Sequence, residues 1–169
     1  MKFTEYKKLD LVETNNVILD KWKREDTFRE VLKMGQGAPR FIFHEGPPSA
    51  NGMPGIHHVM ARSIKDSVCR YKTQTGHLVE RRAGWDTHGL PVELGVEKML
   101  GITKEDIGKK ISVDDYNDAC RKEVMKYTAE WRKLTEQIGY WVDMDNPYVT
   151  YDNRYIETLW HLLKDIYKK

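Results

Sequence analysis

The sequence predicts an α/β fold built around a parallel sheet, and three observations carry that prediction. A short aromatic and β-branched run, Arg40-Phe41-Ile42-Phe43-His44, stands before a loop rich in glycine and proline. A helical repeat then covers about residues 56–71 and is closed by Gly76. A second strand-like run, His77-Leu78-Val79-Glu80-Arg81-Arg82, follows at once. Strand, loop, helix and strand in that order describe a right-handed βαβ unit. Ligands of open parallel sheets bind in the crevice beyond the strand C-termini, so the loops after these two strands are where function is expected.

Each element has its own signal. Val17, Ile18, Trp22, Phe28, Val31 and Leu32 recur at helical spacing with a break near Glu25-Asp26, which predicts one or two amphipathic helices within residues 1–36. The Arg40–His44 run follows Gly37 and Pro39 and reads as a buried strand. In the next helix Met60, Ile64, Val68 and Tyr71 form the stripe expected to face inward. Arg62, Lys65, Asp66 and Arg70 form the stripe expected to face solvent. Residues 84–95 read as the second loop and the start of another helix. From Ser112 the pattern is helical again, with Ser112-x-x-Asp115 resembling a capping box. Tyr116, Cys120, Val124, Tyr127, Trp131, Leu134 and Ile138 repeat at spacings of three and four until Gly139. A last helix is predicted over about 153–168, with Ile156, Leu159, Trp160, Leu163 and Ile166 inward. No further strand is expected. A doubly wound sheet needs more than two, so the sequence reads as the front part of a larger protein.

Composition excludes several classes. Length suits one domain, and a compact domain of 169 residues would bury roughly 70% of its unfolded surface. Charged residues make up 32% with a net charge of +2, which gives no general electrostatic pull on nucleic acid; any RNA contact would need a local patch. Cys69 and Cys120 lie far apart and form no metal-type or redox pair, which favours a reducing compartment. No apolar run approaches about 18 residues, and the opening Met-Lys-Phe-Thr-Glu-Tyr lacks a signal-peptide core. The expectation is a cytoplasmic protein with no membrane partner.

Residues 46–58, Gly-Pro-Pro-Ser-Ala-Asn-Gly-Met-Pro-Gly-Ile-His-His, join the first strand to the helix. A helix N-terminus carries unsatisfied N–H groups and the positive end of the dipole, so it attracts anions. Gly46, Gly52 and Gly55 let backbone approach a ligand, while Pro47 and Pro48 stiffen the entry. His57 and His58, at the first helical turn, could bond phosphate oxygens or stabilise charge growing on them. A zinc site with His44 or His88 as a further ligand is another reading. Adjacent helical residues point about 100° apart, so the two imidazoles are poorly placed to share one ion, and no metal ligand is expected here. Neither the P-loop nor the Gly-x-Gly-x-x-Gly dinucleotide pattern occurs. In the second loop, Asp86 at a Gly-Trp-Asp turn could accept from an ammonium group or serve only as a turn acceptor.

In combination, Gly46-Pro47-Pro48-Ser49-Ala50-Asn51-Gly52 and Gly84-Trp85-Asp86-Thr87-His88-Gly89-Leu90-Pro91-Val92-Glu93 resemble the N-terminal half of the class I aminoacyl-tRNA synthetase catalytic domain. Ala50-Asn51-Gly52 and Thr87-His88-Gly89-Leu90-Pro91 are similar to the isoleucyl branch rather than the valyl or leucyl one. Gly139-Tyr140-Trp141-Val142-Asp143 and Pro147-Tyr148-Val149-Thr150 extend the resemblance over nearly the whole chain. The resemblance implies the first half of a Rossmann-type parallel-sheet domain over residues 37–169, incomplete at the C-terminus, preceded by a helical extension over 1–36.

The resemblance also implies roles. Gly46 and Pro47 would line the amino-acid pocket, and Asp86 would hold the α-ammonium group. Asn51, Gly55, His57 and His58 would lie along ATP, with magnesium arriving as part of the ATP complex and no protein-bound metal in this segment. The implied reaction is ATP-dependent activation of isoleucine and transfer to tRNA(Ile). No Lys-Met-Ser-Lys-Ser-like signature occurs, and the editing and anticodon-binding regions of the family are also missing, so the segment alone is expected to be inactive or very weak. The alternatives are a valyl- or leucyl-type segment, or a noncatalytic nucleotide- or RNA-binding module that keeps the fold. One departure stands out. The family signature is His-x-Gly-His, whereas Gly55-Ile56-His57-His58 exchanges its first and third positions. His58 is expected to keep its role, while His57 and the adenosine adopt a shifted arrangement.

Overall fold

The computed structural model describes residues 8–169. Residues 1–7, which begin the predicted helical extension and include the Met-Lys-Phe-Thr-Glu-Tyr opening, lie outside the described residues. Helix α1 spans Leu11–Arg24, and its first turn is capped by the Asp10 carboxylate, which accepts the Glu13 N–H at 3.0 Å. Basic Lys21, Lys23 and Arg24 fill its last turn, where the dipole favours cations. The expected break falls at Glu25-Asp26, with Asp26 in the left-handed region, and α2 follows over Thr27–Met34. Trp22 of α1 and Phe28 of α2 lie 5.1 and 5.9 Å from the ring of Trp141, which seats the extension on the rest of the molecule.

The sheet is parallel, as expected, but its strands are displaced. Strand β1 is Arg82–Trp85 and pairs in parallel with β2, Asp143–Val149, through Arg82↔Asp143, Gly84↔Tyr148 and Trp85↔Val149. Sequence placed the second strand over 77–82 and left Gly84 and Trp85 in a loop. No strand is expected from the sequence over 143–149, where Asp143, Asp145, Asn146 and Pro147 are poor strand formers. A turn lies inside the strand: the Asp143 carboxylate accepts from Asp145 N–H at 2.9 Å and from Asn146 Nδ2 at 3.0 Å. The sheet absorbs it as a register shift between Arg82 and Gly84.

The predicted first strand, 40–44, is reduced to a single parallel bridge, Arg40↔Leu78. Phe41 N–H donates to the Leu78 carbonyl and Leu78 N–H to the Pro39 carbonyl, after which the ladder lapses. It resumes as one bridge at Ser49↔Asp86. Pro47 and Pro48 supply no N–H, so a continuous ladder cannot form across them. The order of strand, loop, helix and strand therefore survives with its first strand held only at the two ends.

Helix α3, Ile56–Gln74, corrects the sequence reading most sharply. Arg62 is only 5% exposed, whereas Met60 is 62% and Ile64 65% exposed; Val68 and Tyr71 are exposed as well. The stripe expected outside is the one that packs. The Arg62 guanidinium lies 4.8 Å from the Trp131 ring and 5.4 Å from the Tyr140 ring, and donates to the Thr135 hydroxyl. Asp66 pairs with Arg70 at 2.6 Å and with buried Arg81 at 2.9 Å. Lys65 pairs with Glu45.

Helix α4 covers Leu90–Leu100 and a 3-10 turn Lys104–Asp106. The predicted run from Ser112 forms two helices, α5 (Val113–Val124) and α6 (Thr128–Gln137). The interruption coincides with Tyr127, whose N–H is taken by the Ala50 carbonyl. Asp115 N–H bonds to the Ser112 hydroxyl at 3.0 Å, as the capping pattern anticipated. Trp131 and Val124 meet Ala50, Trp85 and Val92 in the main core. Helix α7, Asn153–Tyr167, leaves Leu159, Trp160, Leu163 and Ile166 exposed, against the expectation that they face inward; Ile156 is half-buried.

Candidate nucleotide and amino-acid site

The loop between residues 45 and 55 is anchored along its length by the Asp86 segment, by the start of α6 and by the partners of Glu45. Asp86 N–H donates to the Pro48 carbonyl and Ala50 N–H to the Asp86 carbonyl, both at 3.0 Å, which ties the two special loops together. The Ala50 carbonyl also accepts from Tyr127 N–H, and the Gly52 carbonyl from Trp131 Nε1 at 2.7 Å. Ala50 is fully buried beneath this loop. At the loop entrance the Glu45 side chain is 3% exposed and is gripped by Lys65 of α3 and the Tyr140 hydroxyl, while its carbonyl accepts from Tyr148 Oη at 3.0 Å. Gly46 stays exposed and Pro47, Asn51 and Gly55 half-buried, so this fixed backbone presents them at the surface.

The histidine pair sits where the sequence put it, at the start of α3. His58 is half-buried, His57 is exposed, and their rings are 3.8 Å apart. Gly55 N–H donates to His58 Nδ1 at 2.9 Å, which leaves the neutral ring with its proton on Nε2. The ring also meets Trp131 edge-on at 4.7 Å. Burial, then His57, Arg62 and Lys65, lower the His58 pKa below the ordinary histidine value, so the neutral form is favoured. The structure thus supplies a neutral N–H donor at a helix N-terminus, suited to an anionic oxygen.

Asp86 is half-buried at the C-terminal end of β1, and its carboxylate accepts from His88 N–H at 3.3 Å. The structure joins Asp86 to the first loop at Pro48 and Ala50, and Trp131 links the same loop, at Gly52, to the His58 ring. Glu45 and Trp131 were not foreseen as loop anchors: the helical repeat marked Trp131 only as core, and nothing in sequence marks Glu45. Thr87 and Thr150 were also missed. Both are buried, and their hydroxyls lie 2.8 Å apart. Among the described residues no group of three or more histidines, cysteines or carboxylates could hold a metal ion.

A family model described as tRNA synthetases class I (I, L, M and V) matches residues 17–169. The chain belongs to this family. Its class I relatives include the isoleucine–tRNA ligase of Porphyromonas gingivalis, 67% identical over 168 residues that make up 99% of this chain and 15% of that protein. The isoleucine–tRNA ligase of Bacteroides thetaiotaomicron is 68% identical over 99% of the chain and 14% of its own length. That of Cytophaga hutchinsonii is 55% identical over 100% of the chain and 15% of its own length. The chain therefore spans about 15% of the length of the curated relatives it matches. Among solved structures, the LeuRS of Agrobacterium radiobacter, in a ternary complex with tRNA and LeuAMS, superposes with a TM-score of 0.63 at 20% identity. The match covers 91% of this chain and 17% of that one, and it shows the class I synthetase fold.

Proposed function

We propose that this segment forms the first half of the adenylation site of an isoleucine–tRNA ligase. The observation that carries the proposal is the joining of the Gly46–Gly55 loop to Asp86 at the C-terminal end of a parallel strand, with a neutral His58 N–H at the adjoining helix start. Identity of 66–68% to isoleucine–tRNA ligases along almost the full segment supports isoleucine over valine or leucine.

In this reading Asp86 takes the α-ammonium group of isoleucine, and Gly46 with Pro47 forms one wall of its pocket. Asn51 and Gly55 border ATP, and His57 and His58 face its phosphates. The isoleucine carboxylate attacks the α-phosphorus, the bond to the bridging oxygen breaks, and pyrophosphate leaves; no enzyme nucleophile is required. His58 Nε2–H stabilises negative charge gathering on phosphate oxygens, and the anchored loop holds the reactants in line. Magnesium arriving with ATP neutralises phosphate charge. A hydroxyl of the terminal ribose of tRNA(Ile) then attacks the carbonyl carbon of the isoleucyl-adenylate, the bond from that carbon to the phosphate oxygen breaks, and AMP leaves. No described helix is long and apolar enough to cross a membrane. Free Cys69 and Cys120 accord with a working place in the cytoplasm.

The test is a chimaera in which residues 1–169 replace the matching segment of the Porphyromonas gingivalis ligase. Isoleucine-dependent ATP–pyrophosphate exchange is expected, and His58→Ala in the chimaera should lower it at least about 100-fold. A soluble, folded chimaera without exchange would overturn the catalytic reading and leave a binding module.

A further inference from the structure

Thr150 follows β2, in a part of the chain to which the adenylation reading assigns no role. Its buried hydroxyl meets three partners around the Asp86 loop. Thr87 N–H donates to Thr150 Oγ1 at 3.0 Å. Thr87 Oγ1 lies 2.8 Å from the same oxygen, and His88 Nδ1 lies 2.9 Å from it. Thr87 Oγ1 in turn accepts from Tyr151 N–H at 3.0 Å.

Only one arrangement of protons uses every group. A hydroxyl has one proton to give and two lone pairs. Thr87 Oγ1 already accepts from Tyr151, and its own proton has Thr150 Oγ1 as its acceptor. Thr150 Oγ1 then accepts twice, from the Thr87 amide and the Thr87 hydroxyl. Its remaining proton goes to His88 Nδ1. An Nδ1–H on His88 would reverse the chain and leave the buried Thr87 hydroxyl proton without an acceptor, which burial penalises. The circuit thereby selects the His88 tautomer with its proton on Nε2. Its backbone N–H meanwhile bonds the Asp86 carboxylate at 3.3 Å, and its side chain is exposed.

We propose that Thr150 is a positioning residue that fixes His88 as the Nε2–H tautomer, so that the loop offers a directed hydrogen-bond donor beside the Asp86 carboxylate. Asp86 and His88 then form a donor–acceptor pair matched to a zwitterionic α-amino acid: the carboxylate takes the ammonium group, and His88 Nε2–H takes the carboxyl oxygen that does not attack. The ligand half of this inference rests on the adenylation reading; the tautomer half stands on the hydrogen-bond circuit alone.

Long-range proton–nitrogen NMR on the nitrogen-labelled chain at neutral pH tests the circuit. The result expected is an unprotonated Nδ1 and a protonated Nε2 for His88, kept in Thr150→Ser and replaced by tautomer averaging in Thr150→Val. A protonated Nδ1, or a pattern that Thr150→Val leaves unchanged, overturns the positioning role. In the chimaera, Thr150→Val and His88→Asn should each raise the KM for isoleucine about tenfold with little change in kcat, and Thr150→Ser should stay near the parent value. His88→Gln, which keeps an outer donor, should recover part of the loss. Equal KM values in all variants overturn the ligand contact even where the tautomer is as expected. A chimaera with no isoleucine-dependent exchange removes the adenylation reading and the ligand contact with it, and the NMR result still decides the role of Thr150.

Discussion

Gly55 has ordinary extended backbone, with φ −119° and ψ 173°, so its conformation does not call for glycine. Space does. A Cβ at this position would meet His57 Cε1 at 2.9 Å and Nδ1 at 3.1 Å, because the His57 ring folds back over it. The exchanged signature is therefore a coupled pair: the imidazole at 57 occupies the room that a side chain at 55 would need. The order of these four residues was legible in sequence, and so was the survival of a histidine at 58. The reason the exchange must involve both positions was not, because it depends on the direction of one ring. Gly55→Ala should lower the thermal midpoint by displacing His57, and adding His57→Ala should relieve most of that loss. A double-mutant cycle should give a coupling of about 0.5–1.5 kcal/mol. Purely additive losses would mean that the ring moves aside freely.

At the scale of elements, periodicity located α3 but did not say which of its faces is inside. Both stripes repeat at helical spacing, and sequence favours burying the apolar one. The outcome depends on what faces the helix: Trp131, Thr135 and Tyr140 offer two aromatic rings and a hydroxyl to Arg62, while Glu45 and Arg81 complement Lys65 and Asp66. None of those partners is near in sequence. Met60→Gln with Ile64→Gln should change stability by less than about 1 kcal/mol. Arg62→Ala should cost roughly 1–3 kcal/mol through lost packing on Trp131 and Tyr140 and the lost hydrogen bond to Thr135. Chemical denaturation of both variants checks this, and the opposite ranking would mean that the helix is rotated. Gly84 carries the corresponding lesson for the sheet. A Cβ there would overlap Cζ, Cε1 and Cε2 of the Tyr148 ring of β2, so the glycine read as a loop residue is what allows the two strands to approach. Gly84→Ala should destabilise by roughly 1–3 kcal/mol, and Tyr148→Ala in the same chain should recover part of it. No recovery in the double variant would show that the glycine acts through something other than this contact.

For the whole molecule, the first loop and the order of loop, helix and strand were readable because glycine and proline act locally, whereas the second loop starts only at Asp86 because Gly84 and Trp85 belong to β1. The missed strand β2 and the mispredicted faces of α3 and α7 depend on distant partners. The same distant partners shape how stability depends on pH. His58 is held below the ordinary histidine pKa, first by burial and then by His57, Arg62 and Lys65. The unfolded chain therefore binds the proton more readily. The contribution of neutral His58 is complete above about pH 6.5 and is lost as pH falls through that value toward the lower folded pKa. Buried tyrosines act at the other end. Burial, with Cys120 and the Glu97 and Glu93 carboxylates, pushes Tyr116 up to about 12. Burial and the hydrogen bond to Glu45 raise Tyr140 too. Here the folded state retains protons that the unfolded chain gives up, so stability declines as pH rises past about 10. The thermal midpoint should form a plateau between these limits and fall on both sides. His58→Gln should flatten the upper part of the acid limb. Tyr140→Phe should flatten the alkaline limb while lowering the plateau, because Glu45 loses a donor. Melting curves recorded from about pH 5 to 11 decide the matter: an acid limb unchanged in His58→Gln would assign that limb to the carboxylates instead, and would remove the case for a neutral His58 in the folded chain.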